Sequence, residues 1–245
     1  MKINLIDYLK EEKEMKLKGG LYHISQIKFA YNSNRIEGSK LSEEQTRYIY
    51  ETNTISTEKY KAANIDDITE TINHFKCFDY LIDNAKKSLS EIIIKEFHKI
   101  LKNNTLDSRK KWFKTGGYKT RENIVGNRET SPVAEVKEKM SSLVSEYLHI
   151  KNPDLDDIIN FHYKFEMIHP FQDGNGRVGR LIMFKECLKN HLIPFIIEDE
   201  YKNYYYRGLQ EYNTVKGYLK DTILYSQDKY ADLLKYFKII KNNEQ

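Results

Sequence analysis

Asp154 to Arg180 reads DLDDIINFHYKFEMIHPFQDGNGRVGR, and this stretch decides the architecture. Ile158, Phe161, Phe165 and Ile168 recur at three- and four-residue spacing, which places them on one helix face. The spacing predicts a helix over 154–168. It stops at His169, because a residue before proline is pushed out of the right-handed helical region and Pro170 follows. A new helix is expected from about Arg177, with Leu181, Phe184 and Leu188 turned inward. The core motif is therefore two helices joined by a loop carrying Asp173-Gly174-Asn175-Gly176.

The same period dominates to either side. Helices are expected over 3–17, over 22–36 with Gly38 as the stop, and from Ser42, which is a good N-cap followed by acidic residues. Others are expected over 64–84, from the cap Ser90 through Leu101, from Val133 to Ile150, and over about 199–213 and 216–241. Residues 104–132 change character, with Gly116-Gly117 and Gly126-Asn127 as turn signals, and Tyr118 to Val125 is read as a short hairpin. Only four prolines and eleven glycines interrupt the chain, no internal repeat is visible, and a single all-α domain is the expectation.

The bulk numbers narrow the function classes. With 40 basic against 36 acidic residues the formal charge is only +4, and the signs are interleaved, which disfavours nucleic acid as a partner. Cys77 and Cys187 sit in apolar periodic segments without a CxxC partner, so buried free thiols and a reducing, cytoplasmic compartment are expected. No apolar run is long enough to cross a bilayer, and the N-terminal residues lack the apolar core of a signal peptide.

The loop between the central helices carries the chemistry. A helix N-terminus presents unpaired N–H groups and partial positive charge. Gly174 and Gly176 allow the backbone to turn those donors toward one anion, as a diphosphate requires. Arg177 and Arg180 lie three apart in the first turn, share a face, and can grip the same phosphates. Asp173 is an oxygen ligand suited to Mg²⁺, or Mn²⁺ in its place, beside nucleotide phosphates. His169 is the one side chain here whose ordinary pKa lies near neutrality, and it is the candidate general base. Each residue alone also fits an ordinary role: a helix cap for His169, a turn for Asp-Gly-Asn-Gly, a solvated face for the arginines. His98 and His162, on apolar helix faces, are read as core histidines.

The run from His169 to Arg180 resembles the signature of the Fic family, His-x-Phe-x-(Asp/Glu)-Gly-Asn-Gly-Arg-x-x-Arg, at every fixed position. That resemblance covers roughly residues 20–215. It implies a Fic-type helical bundle with a short β-hairpin flap. It also implies a protein adenylyltransferase: His169 deprotonates a Ser, Thr or Tyr hydroxyl of a target protein, AMP passes from ATP to that hydroxyl, and pyrophosphate leaves. Asp173 would hold the metal, Gly174, Asn175 and Gly176 would cradle the phosphates, and Phe171 would anchor the loop.

Ser33-Asn34-Arg35-Ile36-Glu37-Gly38 resembles a second pattern of the same family, (Ser/Thr)-x-x-x-Glu-(Gly/Asn). There it lies on an inhibitory helix, here 22–38, whose Glu37 would occupy Arg180 in place of the γ-phosphate. The flap resemblance runs through Gly117-Tyr118-Lys119 and Asn123-Ile124-Val125-Gly126, which would cover the nucleotide. Lys119 and Asn123 depart there from the commoner Arg and apolar residue. Tyr205 and Asn213 resemble the adenine-side residues, whereas Tyr206 and Tyr212 read as core packing.

The domain expectation is thus one unit over 1–245: the inhibitory helix, a core of 64–215, and a helical extension of 216–245. Self-modification and a homo-oligomer stay open. So do three rival activities on the same residues: removal of AMP, transfer of another nucleotide or phosphate, and a non-catalytic helical binding module.

Overall fold

The computed structural model describes residues 4–55, 63–126 and 128–240. The helical elements are α1 (Leu5–Met15), α2 (Leu21–Ile36), α3 (Glu43–Thr52), α4 (Ile65–Asp83), α5 (Glu91–Leu101), α6 (Val133–His149), α7 (Leu155–Ile168), α8 (Asn175–Lys189), α9 (Lys202–Gln210) and α10 (Gly217–Tyr236). The caps are those the side chains dictate. Ser42 accepts from the Gln45 N–H at 3.1 Å while Gln45 returns the bond to the Ser42 N–H at 2.9 Å, a reciprocal capping box at the head of α3. Ser90 caps α5, and Asp154 caps α7 with Asp157 closing the same kind of box.

The central element is α8. It packs against α7, α5, α4 and α2, so its residues from Arg177 to Leu188 are buried without a gap. A helix enclosed on all sides has no polar face to leave in water, so its charges need internal partners. Lys185 Nζ donates to Lys87 O at 2.6 Å and to Glu186 Oε1 at 2.7 Å, and Glu186 Oε2 accepts from the Tyr147 hydroxyl at 3.0 Å. Apolar side chains from α1 (Ile6, Leu9), α2 (Leu21, Phe29), α4 (Phe78, Leu81), α7 (Phe165), α8 (Phe184) and α10 (Ile223, Tyr230) join one core. A smaller cluster of Ala30, Leu41, Ile49 and Phe75 fixes α3 between α2 and α4. Cys77 and Cys187 are free and buried, and burial pushes both thiols up.

The bundle is all-helical as expected, but the β-hairpin expected over Tyr118–Val125 is not there. Among the described residues no strand precedes Ile124; the extended backbone is a two-rung ladder of β1 (Ile124–Val125), at the very end of the expected range, with β2 (Arg128–Glu129), which lies beyond it. Residues 118–123 are drawn into other bonds instead. The Lys119 N–H donates to Pro170 O at 2.8 Å, and the Thr120 hydroxyl donates to Trp112 O at 2.8 Å. Two boundaries also shift: α8 begins at Asn175 rather than Arg177, and the helix expected over 199–213 is a 3-10 turn (Asp199–Tyr201) followed by α9. No helix among the described residues is long and apolar enough to cross a membrane.

Candidate active site

The loop between α7 and α8 is held from three directions. His169 ends α7 in the left-handed region, φ 52° and ψ 62°, with its N–H on Phe165 O at 2.9 Å. Pro170 thus excludes right-handed helix as its neighbour's geometry requires, and the chain reverses within one residue. Phe171 is fully buried, its ring stacked on His98 with centroids 4.0 Å apart and planes 5° from parallel. Asn175 braces the loop: its Oδ1 accepts from the Phe171 N–H at 2.8 Å and its Nδ2 donates to Phe171 O at 2.9 Å. Gly174 takes φ +83°, and a Cβ there would lie 3.2 Å from Leu101. No side chain caps the head of α8, so its first-turn N–H groups remain available to an anion. His169 is mostly buried, and its Nδ1 lies 4.0 Å from the Glu166 carboxylate.

The two arginines of α8 are buried and each meets a carboxylate from an earlier helix. Arg180 donates through Nε to the Ser33 hydroxyl at 3.1 Å, and through one terminal nitrogen to Ser33 O at 3.0 Å and Glu37 Oε1 at 2.7 Å. Burial works to lower its pKa, but the Glu37 carboxylate outweighs that and raises it. Glu37 follows the last turn of α2, and its carboxylate presses on Gly176 so closely that a Cβ there would strike it. An internal anion therefore sits against the glycine turn. Arg177 donates to Glu70 Oε2, to Asp173 Oδ2 at 3.1 Å and to Asn34 Oδ1 at 3.5 Å.

Asp173 is half exposed and shares its Oδ2 between Arg177 and Lys102, the latter at 2.6 Å. Burial opposes ionisation, but the two cations outweigh it and hold the carboxyl well below the usual range. Among the described residues no group of three or more His, Cys, Asp or Glu is arranged to hold a metal ion. A single accessible carboxylate beside an anion seat nonetheless fits Mg²⁺, which takes most of its ligands from phosphate and water.

Residues 88–187 match the profile of the Fic/DOC family. That match takes in the whole loop between α7 and α8. Its curated relatives include the protein adenylyltransferase Fic of Nematostella vectensis, 26% identical over 222 residues (80% of this chain, 49% of that protein). Another is the protein adenylyltransferase fic-1 of Caenorhabditis briggsae, 27% identical over 229 residues (88% and 42%). The chain thus spans about half the length, or less, of these relatives. Among solved structures, a Fic domain-containing signaling protein from Bacteroides thetaiotaomicron superposes with a TM-score of 0.73 at 20% identity, covering 97% of this chain and 99% of that one. Residues 134–508 of Caenorhabditis elegans Fic-1 give 0.73 at 22%, covering 95% and 71%. At such identities these likenesses establish the fold.

The Fic/DOC segment contains His169, Asp173, the glycine turn and both arginines, whereas Ser33, Glu37 and Glu70 reach the site from outside it. Sequence reasoning paired Glu37 with Arg180 but missed Lys102 and Glu70, whose only signal was a polar position on an amphipathic helix. The other expected nucleotide residues are dispersed. Asn123 is occupied with Lys119 at 2.8 Å and Thr130 at 2.6 Å, while Ile124 is 68% and Val125 40% exposed, with Gly126 closing the turn. Tyr205 is buried beneath Arg180 with its hydroxyl on His162 at 2.7 Å, and its neighbour Tyr206 is the accessible one, donating to Ile36 O at 3.0 Å. Tyr212 is core, and His98 and His162 are the buried histidines expected. Asn213 is exposed at the edge of a groove of about 540 Å³ shared with Tyr163, Met167 and Ile168.

Proposed function

We propose that this chain moves AMP from ATP to a hydroxyl side chain of a protein, itself included, and that Glu37 holds the activity down. The observation that carries the reading is the Glu37–Arg180 pair lodged against Gly176. A carboxylate from a separate helix fills the seat that the helix N-terminus and guanidinium would otherwise offer to phosphate.

With Glu37 withdrawn, the triphosphate lies across Gly174 and Gly176, and Arg177 and Arg180 neutralise its β- and γ-phosphates. His169 takes the proton of the target hydroxyl as the oxygen attacks the α-phosphorus. The bond from that phosphorus to the bridging oxygen breaks, AMP stays on the target, and pyrophosphate leaves. Asp173 would hold Mg²⁺, which would supply charge neutralisation to the phosphates. Asn175 acts through the loop, keeping the Phe171 backbone and the glycine turn in register.

The test compares wild type, Glu37→Gly and Glu37→Gly/His169→Ala with ATP labelled on the α-phosphate, alone and with lysate. Label is expected on protein with Glu37→Gly, much less with wild type, and none once His169 is lost. Intact-mass analysis of the labelled protein should give the increment of AMP. An increment of phosphate alone, or labelling that survives His169→Ala, would refute the reading.

A further inference from the structure

Lys102 closes α5 and turns its ammonium into the site from behind Asp173. Its side chain is 2% exposed, and three carboxylates surround Nζ: Glu70 at 2.5 Å, Asp173 at 2.6 Å and Asp107 at 3.2 Å. An ammonium has three donors, so this one is saturated. Glu70 is bidentate across the cluster, with Oε1 on Lys102 and Oε2 on Arg177. The oxygen of Asp173 that Lys102 uses, Oδ2, is also the one Arg177 uses.

We propose that Lys102 is a built-in counter-cation for Asp173, a positioning residue that sets how readily a divalent ion binds there. This rests on the reading of Asp173 as the metal-holding carboxylate. A half-exposed carboxylate beside two buried cations is held in one place before any metal arrives. A divalent ion on the same carboxylate then meets the ammonium as a like charge in a poorly screened setting. Lys102 need not leave, because Glu70 and Asp107 remain to neutralise it. The ammonium moves its weight from Asp173 onto those two acids. Glu70 is the principal reserve partner, and its second oxygen keeps Arg177 in place during the exchange.

The proposal assigns opposite signs to two variants of the same cluster. Lys102→Met removes the competing cation, so divalent affinity at Asp173 rises. Glu70→Gln removes the reserve charge, so the ammonium clings to Asp173 and affinity falls. A merely structural role would lower affinity in both.

The experiment uses the full chain carrying Glu37→Gly, saturated with α,β-methylene ATP, and measures Mn²⁺ binding by electron paramagnetic resonance of the free ion. The expected result is Mn²⁺ binding tightened at least threefold by Lys102→Met, weakened at least threefold by Glu70→Gln, and restored by Glu70→Asp. Unchanged affinity in both variants, or a change of the same sign, overturns the proposal. Should Lys102→Met fail to fold, Glu70→Gln decides alone: affinity equal to or tighter than the parent overturns it. Asp173→Ala is the control that separates the two readings. If it binds Mn²⁺ as the parent does, the metal role of Asp173 falls and this proposal with it. If it loses Mn²⁺ while the two cluster variants match the parent, only this proposal falls.

Discussion

Gly179 lets α7 and α8 meet: a Cβ there would lie 2.6 Å from Cε1 and 2.7 Å from Nδ1 of the buried His162 ring. Neither the ring nor the helix backbone can give way cheaply in an interior of this density. Gly179→Ala should therefore cost about 1–3 kcal/mol. For a chain of this size that is a fall in Tm of roughly 2–4 °C per kcal/mol, measurable by circular dichroism. Glu37 is the residue where the expected gain is largest. A hydrogen bond to a charged group contributes about 1.5–3 kcal/mol, which on the proposed function is equivalent to roughly a tenfold to hundredfold suppression of productive ATP binding. Glu37→Gly should recover that factor in labelling rate. Glu37→Gln, which can still accept from Arg180 but carries no charge, should give an intermediate rate. Equal rates for the two variants would show that charge is not what matters.

Among elements, the contact of α9 with α10 has the least tolerance. A Cβ at Gly208 would come within 2.6 Å of Leu219 Cα, a backbone atom. Gly208→Ala should loosen the start of α10 and raise amide exchange over 217–223 more than over α7. Uniform exchange in the two helices would count against this. The elements themselves were largely readable from the chain, because long helices with one apolar face and good caps, such as α3, α5 and α7, announce both their period and their ends. The extended segment was not. Gly126 sits in a turn and Asn127 lies outside the described residues, but the pairing was sought within 118–125, where Lys119 and Thr120 commit their bonds to Pro170 and Trp112, whereas the second strand is Arg128–Glu129. In the site, a local motif revealed His169, Asp173, Arg177 and Arg180 within twelve positions. Glu70 and Lys102 are 32 positions apart, and Glu70 and Arg177 are 107 apart. Nothing in helical periodicity distinguishes a glutamate that turns to a neighbouring helix from one that faces water. The burial of Tyr205 and the exposure of Tyr206 were hidden for a related reason: in a nine-residue helix packed on two sides, adjacent positions differ in burial by geometry that spacing alone does not encode.

For the molecule as a whole, three of the four buried histidines among the described residues dominate the response to acid. His74, His98 and His162 are each pushed down to about 3, by burial first and then by the cations Arg177, Lys102 and Arg180 respectively. An unfolded chain would protonate each near pH 6.5 (about 6.5 for a free imidazole). Between there and about pH 3 the unfolded state holds more protons, so stability is complete above pH 6.5 and drains away as pH falls. The limiting slope is on the order of 1 kcal/mol per pH unit per histidine. Tm should drop steadily from pH 7 to pH 4, and His162→Gln should flatten the curve. A Tm independent of pH over that window would contradict the assignment. The placement of α2 has a different consequence. Leu21, Tyr22, Phe29 and Ile36 are in the main core and Ala30 in the smaller one, so the helix that ends in Glu37 cannot swing out without dismantling the protein. On the function proposed above, any signal that awakens the activity must therefore act on one carboxylate at a surface corner. It would do so by luring that side chain outward rather than by ejecting a segment, and activation would leave the scaffold's shape and melting behaviour nearly untouched.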